Sequence, residues 1–261
     1  MKVLTTDCIK RELLAKLEGS KIDNKIIILS EQPSKEAIHY KNVIVKRCNE
    51  FGIEYIDHEF VDESEDEIIN YVNSFENNDG FIVLSPFGSN DSNIKTMKNS
   101  IAIRDLDSFT YKNLGLSLDG DINCLPATAK AVAMFIEDKF IDISGKSIVI
   151  ANRTNVIGKP LAMYLVTRGA TVTVLNSSSK KTKETIRNSD IFVSAIGKAN
   201  FYDSTYFKDG MTLIDVGTSV VDGKVIGDID YNSLEKLSVE VLTNKKGIGA
   251  ITTLCLLEGL I

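Results

Sequence analysis

The first half of the chain alternates between short apolar runs and segments in which apolar residues recur at helical spacing. The spacing between Thr6 and Glu18 predicts an amphipathic helix, and the run from Lys25 to Ser30 predicts a strand buried on both faces. Ser34 is expected to cap a second helix, which Gly52 ends. The following elements are a short strand near Glu54 to Ile56, an acidic helix from Glu63 to Phe75, and a buried strand from Asp79 to Pro86. We therefore predict an α/β domain that ends near Gly120.

The second half of the chain repeats this alternation around one compact unit. A helix from Pro126 to Glu137 leads to an apolar strand at Ser147–Ala151, a polar turn, a helix that begins near Gly158, and a β-branched strand at Ala170–Leu175. Strand, turn, helix and strand over about thirty residues is typical of a βαβ unit that binds a dinucleotide. Further buried strands are predicted at Ile191–Ile196, Thr212–Val216 and Val239–Leu242, and a last helix at Thr252–Leu260. The strands lack period-two alternation, which indicates a parallel sheet covered on both faces.

The polar residues of this unit favour NADP as the dinucleotide. Enzymes that use NAD usually carry an acidic residue at the end of the second strand, whereas NADP requires groups that suit its 2′-phosphate. Here that strand ends in Asn176 and three serines, among them Ser177 and Ser178, and Arg153 lies in the first turn. A helix-capping serine cluster and a solvated surface arginine are the alternative interpretations.

Charge and composition exclude several other classes of protein. The net charge of −6 argues against a nucleic-acid surface, which requires clustered Lys and Arg. No apolar run approaches the ~18 residues of a membrane span, and the N-terminus does not resemble a signal peptide, so we expect a cytoplasmic protein. Four scattered cysteines and two histidines offer no spacing typical of a metal site, and no metal is expected.

Several short motifs follow one another along the chain. They are Asp79–Gly88, Arg104–Phe109, Pro126–Ala131, Asn152–Pro160, Ala195–Phe201, Ile214–Gly217 and Gly227–Ile229. The individual motifs are weak, but their shared order and spacing are specific. With these motifs the chain resembles the bifunctional methylenetetrahydrofolate dehydrogenase/cyclohydrolase (FolD) family over essentially its full length.

The resemblance implies an α/β protein of two domains with a folate site in the cleft between them. Residues 1–120, joined by the C-terminal helix 252–261, would form the folate domain, and residues 121–251 a Rossmann-like NADP-binding domain. It also implies oxidation of 5,10-methylenetetrahydrofolate by hydride transfer, hydrolysis of the methenyl product to 10-formyltetrahydrofolate, and a homodimer. The residues that would bind NADP are Asn152, Arg153, Thr154, Ile157, Ser177, Ser178, Ile196, Gly197 and Thr218.

Two residues match the family's folate-binding side chains. Asp107 matches an aspartate that hydrogen-bonds the pterin ring, and Tyr40 matches the tyrosine of the family's catalytic helix motif S-x-x-Y-x-x-x-K. The alternative interpretations are a loop-capping aspartate and an ordinary core aromatic residue.

The chain departs from the family at three positions associated with hydrolysis, two on this helix and one on a strand. Ala37 stands at the serine position, Ile44 at the lysine position, and Leu84 at the position of a strand glutamine thought to set that lysine's environment. Hydrolysis requires a positioned water and a proton path, whereas hydride transfer depends chiefly on orientation. We therefore expect a dehydrogenase with weak or absent cyclohydrolase activity.

Other departures keep alternative functions open. The family loop P-G-G-V-G-P-M-T is replaced by Lys245–Thr252, which lacks both prolines, and Asn152 replaces a turn glycine, which Asn tolerates well if φ is positive. A family member that binds folate or NADP without turnover is one alternative. A dehydrogenase for another small substrate is the other.

Overall fold

A computed structural model describes residues 1–87 and 91–261, without the side chains of residues 91–93. Gly88, the last residue of one family motif, lies outside the described residues. In chain order the elements are β1 (Lys2–Leu4), α1 (Asp7–Glu18), β2 (Ile26–Glu31), α2 (Lys35–Phe51), β3 (Tyr55–Phe60), α3 (Glu65–Val72), β4 (Gly80–Val83), α4 (Asp91–Ser100), β5 (Arg104–Asp105), α5 (Tyr111–Leu118), α6 (Ala127–Lys139), β6 (Ser147–Ala151), α7 (Gly158–Thr167), β7 (Thr171–Leu175), α8 (Thr182–Arg187), β8 (Ile191–Ser194), β9 (Thr212–Asp215), β10 (Ser219–Val221), β11 (Lys224–Ile226), β12 (Glu240–Leu242) and α9 (Gly249–Glu258).

The chain divides into two compact units, each built around one sheet. The six-stranded unit comprises Met1–Arg11, Leu118–Ile122 and Thr128–Thr252. The four-stranded unit comprises Glu12–Ser117, Asn123–Ala127 and Thr253–Ile261. In the described part of the chain, no helix combines the length and the apolar character needed to cross a membrane.

The four-stranded unit has the parallel strand order β3-β2-β4-β5. The chain moves one way from β2 to β3 and the other way from β3 to β4, so right-handed crossovers place α2 on one face and α3 on the other. An apolar cluster on the α3 face includes Leu29, Phe81 and Met97, with Val83 packed against it. Because side chains alternate along a strand, Leu84, which follows Val83, faces the side that α2 covers.

The boundaries of α2 follow from its caps, as the sequence predicts. The Ser34 side chain accepts a hydrogen bond from the Ala37 amide at 3.1 Å. At the other end, Gly52 adopts a left-handed conformation with φ 67°, and its amide donates to the Cys48 carbonyl. Both predicted caps are confirmed, and they fix where α2 begins and ends.

The six-stranded unit has the parallel order β1-β12-β9-β8-β6-β7. The chain passes from β6 outward to β7 and then returns to β8 on the other side of β6. The strand order therefore reverses between β6 and β8, and ligands of open α/β sheets bind at the carboxyl ends of strands flanking such a point. The strands Ser147–Ala151 and Thr171–Leu175 lie at the predicted places, the second one residue shorter than predicted, and α7 begins at Gly158 as predicted.

Some elements differ from the sequence predictions. Lys2–Leu4 forms a strand that pairs with Glu240–Leu242, which places residues 1–11 in the six-stranded unit and not in the domain expected for residues 1–120. The antiparallel hairpin of β10 and β11 was not predicted. The last helix begins at Gly249, three residues before the predicted Thr252, and strand β4 ends at Val83.

Candidate functional site

The turn after β6 is organised by one side chain, that of Asn152. Its Oδ1 accepts hydrogen bonds from the Thr154 amide at 2.8 Å, the Thr154 hydroxyl at 2.7 Å and the Gly158 amide at 3.1 Å. Its Nδ2 donates to the Ala195 carbonyl at 2.7 Å. Because Ala195 follows β8, Asn152 ties together the two strand ends at which the strand order reverses.

Asn152 does not have the backbone conformation that would explain why Asn replaces the family's turn glycine. Its φ is not positive, so this position does not need the left-handed tolerance of Asn. The side chain is used for its hydrogen bonds instead. The close approach is made by Gly158, where an added Cβ would lie 1.8 Å from the Asn152 carbonyl oxygen. Ile157 precedes α7 without a side-chain cap, but the first two amides of the helix are already bonded, that of Gly158 to Asn152 Oδ1 and that of Lys159 to the Thr154 carbonyl at 3.1 Å. Pro160 has no amide N–H, so this end of α7 can favour an anion only through the positive end of the helix dipole.

A second polar group lies at the end of the neighbouring strand β7. Ala151 and Leu175 are paired in register, so the turns after β6 and β7 lie side by side. The Asn176 carboxamide accepts a hydrogen bond from the Ser178 amide at 2.8 Å, and Ser177 and Ser178 are exposed. Arg153 is also exposed, and no carboxylate in the described part of the chain forms an ion pair with it.

The segment after β8 completes this edge of the sheet. Gly197 has a left-handed φ of 65°, and a Cβ built on it would be 3.8 Å from the Thr218 carbonyl oxygen. Thr218 follows β9, which pairs with β8. The predicted residues Ile196, Gly197 and Thr218 therefore share the carboxyl edge of the sheet with Asn152 and the turn after β6.

Two buried aspartates lie beneath this edge. Asp228 accepts hydrogen bonds from the Ile196 and Lys198 amides, both at 2.7 Å. Asp215 accepts from the Asp228 amide at 3.0 Å and from the Tyr231 hydroxyl at 2.7 Å. Burial raises the pKa of Asp215 to about 6, although these hydrogen bonds lower it.

Sequence analysis found the motifs that contain these aspartates but assigned them no role. The available signal was the glycine in each motif. A Cβ at Gly217 would lie 2.0 Å from the Asp228 carboxyl carbon, and one at Gly227 would lie 2.1 Å from an Asp215 oxygen.

In the four-stranded unit, Asp107 lies in a loop shaped by Asp105. The Asp105 carboxylate accepts hydrogen bonds from the Thr110 amide and hydroxyl, both at 2.7 Å, and from the Phe109 amide at 3.0 Å. Asp107 Oδ1 accepts from the amide of Ala127, the first residue of α6, at 2.7 Å. Asp107 thus caps a helix with one oxygen, while its Oδ2 accepts no hydrogen bond from the described residues.

Tyr40 lies close enough to Asp107 for the aspartate's charge to affect the pKa of the tyrosine. Burial raises the pKa of Asp107 to about 7, the Ala127 amide lowers it, and the Asp105 charge raises it. The pKa of Tyr40 is raised well above its usual range, first by burial and then by Asp107 and Cys255. Cys255 is a neighbour that sequence analysis missed, because it is more than two hundred residues away in the chain.

The two residues that the sequence motifs place at the family's lysine and glutamine positions are apolar and buried. Ile44 on α2 is fully buried, and Leu84 is 3% exposed on the side of the sheet that α2 covers. Three cations of α2 form ion pairs elsewhere: Lys41 with Asp57 at 2.7 Å, Lys46 with Glu50 at 4.0 Å and Arg47 with Glu50 at 2.5 Å. The fourth, Lys35, begins the helix and lies more than two turns from Ile44, so no described lysine or arginine of α2 takes the place of a lysine at position 44.

Comparison with known proteins decides the family. Residues 126–261 match the model of the tetrahydrofolate dehydrogenase/cyclohydrolase NAD(P)-binding domain. The bifunctional protein FolD of Petrotoga mobilis is 34% identical over 254 residues, which cover 97% of this chain and 91% of that protein. The chain belongs to the tetrahydrofolate dehydrogenase/cyclohydrolase family. A FolD protein of Clostridium beijerinckii is 33% identical over 85% of this chain and 80% of that protein.

Solved structures of the family share the fold. The bifunctional 5,10-methylenetetrahydrofolate dehydrogenase/cyclohydrolase of Thermoplasma acidophilum has a TM-score of 0.85 at 25% identity, over 99% of this chain and 96% of that one. The FolD enzyme of Campylobacter jejuni has a TM-score of 0.83 at 27% identity, over 98% of this chain and 94% of that one. The six-stranded unit of this family member is thus an NAD(P)-binding domain, and the expected fold class is confirmed.

Proposed function

We propose that this family member oxidises 5,10-methylenetetrahydrofolate to 5,10-methenyltetrahydrofolate with NADP, and that its hydrolysis of the methenyl product is weak or absent. The observation that carries this proposal is a contrast between the two units. The polar turns at the carboxyl edge of β6, β7 and β8 are intact, whereas the lysine and glutamine positions of the family are filled by buried Ile44 and Leu84.

The residues at the edge of the six-stranded sheet suit NADP. The absence of a Cβ at Gly158 lets the start of α7 pack against the turn after β6, and the positive end of the helix dipole would favour a pyrophosphate bound there. Exposed Arg153, Ser177 and Ser178 would hold the 2′-phosphate, and no carboxylate follows β7 before Lys180 to oppose it. When bound, NADP supplies the acceptor for the hydride. The protein's task is to hold the folate carbon against it.

Asp107 and Tyr40 are the residues that would bind the folate. A carboxylate or carboxylic acid can bond the edge of an aminopyrimidine through two oxygens, and Asp107 Oδ2 accepts no hydrogen bond from the described residues. The folate nitrogen lone pair drives hydride departure, so no protein group has to remove a proton in this step. Hydrolysis of the methenyl cation does need proton transfer from an attacking water, and Ile44 and Leu84 have no group for that.

A second function is favoured by the same substitutions. Loss of the lysine position and of both prolines in Lys245–Thr252 is also compatible with a protein that binds NADP and folate without turnover. Such a protein would show cofactor affinity and no reaction.

One assay separates the two functions. The purified protein is mixed with NADP and 5,10-methylenetetrahydrofolate, and NADPH and the methenyl product are followed at separate wavelengths. We expect NADPH formation with accumulation of the methenyl product. Absence of NADPH formation from protein that binds NADP would contradict the dehydrogenase proposal and favour the binding protein. Rapid disappearance of added methenyltetrahydrofolate would contradict the loss of hydrolysis.

Arg153→Ala tests the cofactor assignment, with Arg187→Ala as the control because Arg187 lies on α8 and outside the turns after β6 and β7. Loss of one charge-assisted phosphate contact should raise the Kd for NADP about tenfold and leave the Kd for NAD within about twofold. Equal losses for both cofactors would show that Arg153 does not contact the 2′-phosphate.

A further inference from the structure

Asp228 is a buried carboxylate that accepts hydrogen bonds from three donors of a single segment, residues 194–198. It is fully buried, and its Oδ2 accepts from the Ser194 hydroxyl at 2.6 Å and the Ile196 amide at 2.7 Å. Its Oδ1 accepts from the Lys198 amide at 2.7 Å. No cation in the described part of the chain forms an ion pair with it, so charge-assisted hydrogen bonds from this segment compensate its desolvation.

The two backbone bonds fix the middle of the turn after β8. Lys198 has an exposed side chain, and Gly197 between the two donors adopts the left-handed φ of 65°. The start of the turn is held by Asn152, which donates to the Ala195 carbonyl, whereas the Ile196 and Lys198 amides both point toward the Asp228 carboxylate and depend on it. The Asn200 amide is held separately, by the Gly227 carbonyl at 2.9 Å.

Asp228 is itself held from below. Asp215 accepts hydrogen bonds from the Asp228 amide and the Ile229 amide, both at 3.0 Å. On the other side, Gly217 has no Cβ, and one placed there would lie within 2.1 Å of both Asp228 oxygens. These contacts restrict rotation of the Asp228 side chain and keep its position independent of the segment that it bonds.

We propose that Asp228 is a positioning residue that sets the conformation of the segment Ala195–Lys198 and thereby the binding of the nicotinamide half of NADP. This inference rests on the proposed function, in which Ile196 and Gly197 receive that half of the cofactor. Asp228 acts from beneath the segment, through the two amides, and does not contact the cofactor.

The Asp228→Asn variant tests the inference with minimal change of shape. A carboxamide has one acceptor oxygen and one donor nitrogen, so it cannot accept from both Ile196 and Lys198. One of these amides would face an N–H group. We expect the Kd for NADP to rise about tenfold, the effect of losing one charge-assisted hydrogen bond. The Kd for 2′,5′-ADP, which lacks the nicotinamide half, should stay within about twofold.

Ser194→Ala is the matched control. It removes the third donor to Asp228 from an equally buried position but leaves the Ile196 and Lys198 bonds in place. The ratio of the Kd for NADP to that for 2′,5′-ADP should therefore stay within about threefold of the wild-type ratio. If Asp228 only stabilised the fold, Asp228→Asn and Ser194→Ala would each weaken the binding of NADP and of 2′,5′-ADP to the same extent.

Amide hydrogen exchange of the wild-type protein provides a measurement that does not depend on the variant folding. The amide of Lys198 should exchange slowly in the free protein although its residue is exposed, and Ile196 should behave likewise. Rapid exchange at both amides would overturn the inference, as would equal weakening of NADP and 2′,5′-ADP by Asp228→Asn. Wild-type protein that binds neither ligand would instead refute the proposed cofactor site, and this inference with it.

Discussion

Replacing Gly158 with alanine would put a methyl group where β6 and α7 leave no room for one. The added Cβ would lie 1.8 Å from the Asn152 carbonyl oxygen and 2.4 Å from its carbonyl carbon. Real Cβ contacts essentially never fall below 3.0 Å, so the two backbone segments would have to separate by about 1.2 Å. Such a movement would break the 3.1 Å hydrogen bond from the Gly158 amide to Asn152 Oδ1.

The expected loss follows from these two effects. Forced separation of packed backbone costs about 1–3 kcal/mol, and loss of the hydrogen bond adds about 1 kcal/mol. Gly158→Ala should therefore lower the free energy of unfolding by about 2–4 kcal/mol. It should also raise the Kd for NADPH at least about tenfold, since the turn would no longer present the start of α7 to a pyrophosphate.

Urea unfolding followed by circular dichroism measures the first effect, because the chain has no tryptophan to report on unfolding. Fluorescence of NADPH measures the second. Gly249→Ala is the matched control: Gly249 begins α9, its φ is not left-handed, and a Cβ there meets nothing within 4 Å. If Gly158→Ala and Gly249→Ala unfold at the same urea concentration and bind NADPH equally, the steric account of the turn is refuted.

Three further changes test other parts of the molecule. Gly52→Ala should cost about 1 kcal/mol in urea unfolding, because φ is 67° and the site is sterically open; a loss as large for Gly52→Asn would refute this backbone explanation. Because burial raises the pKa of Asp107 from its usual 3.8 to about 7, the folded protein holds this proton more tightly than the unfolded chain, and stability from this group is lost as the pH rises through that range. Asp107→Asn should therefore gain stability relative to wild type between pH 5 and pH 8, and a constant difference in the free energy of unfolding would contradict the shift. Ile44→Lys with Leu84→Gln should speed the loss of methenyltetrahydrofolate absorbance, while Ile44→Lys alone should lower stability by about 3 kcal/mol or more; a folded double variant without faster hydrolysis would show that position 44 is not the lysine position.

Local signals in the sequence were sufficient where structure is determined locally. The strand Ser147–Ala151 and the start of α7 at Gly158 were predicted correctly, because an apolar run, a polar turn and a glycine lie next to each other in the chain. The caps of α2 at Ser34 and Gly52 were also predicted, since each acts on residues within one helical turn. The first two features belong to the NAD(P)-binding unit, and the caps belong to the helix that contains Tyr40.

Features that depend on distant partners could not be predicted in this way. The three-residue strand Lys2–Leu4 exists because Glu240–Leu242 offers it an edge, and its own pattern is too short to indicate a strand. The role of Asp228 depends on Ile196 and Lys198, about thirty residues earlier. A glycine near each buried aspartate, Gly217 after Asp215 and Gly227 before Asp228, was the available clue, but only the structure shows that each glycine accommodates the aspartate of the other motif.

The burial of Ile44 and Leu84 bears on how one activity can be lost without the other. A single change at either position would leave a polar group in a buried place without its partner, at a cost of about 1–3 kcal/mol, whereas two apolar residues remove that cost. The pair is thus stable as it stands, and it lacks any group that could transfer a proton. In the proposed function, orientation of a folate by Asp107 and of a cofactor by the turn at Asn152 needs neither residue. Hydride transfer and hydrolysis would then be separable because they depend on different side chains, although Tyr40 and Ile44 share α2.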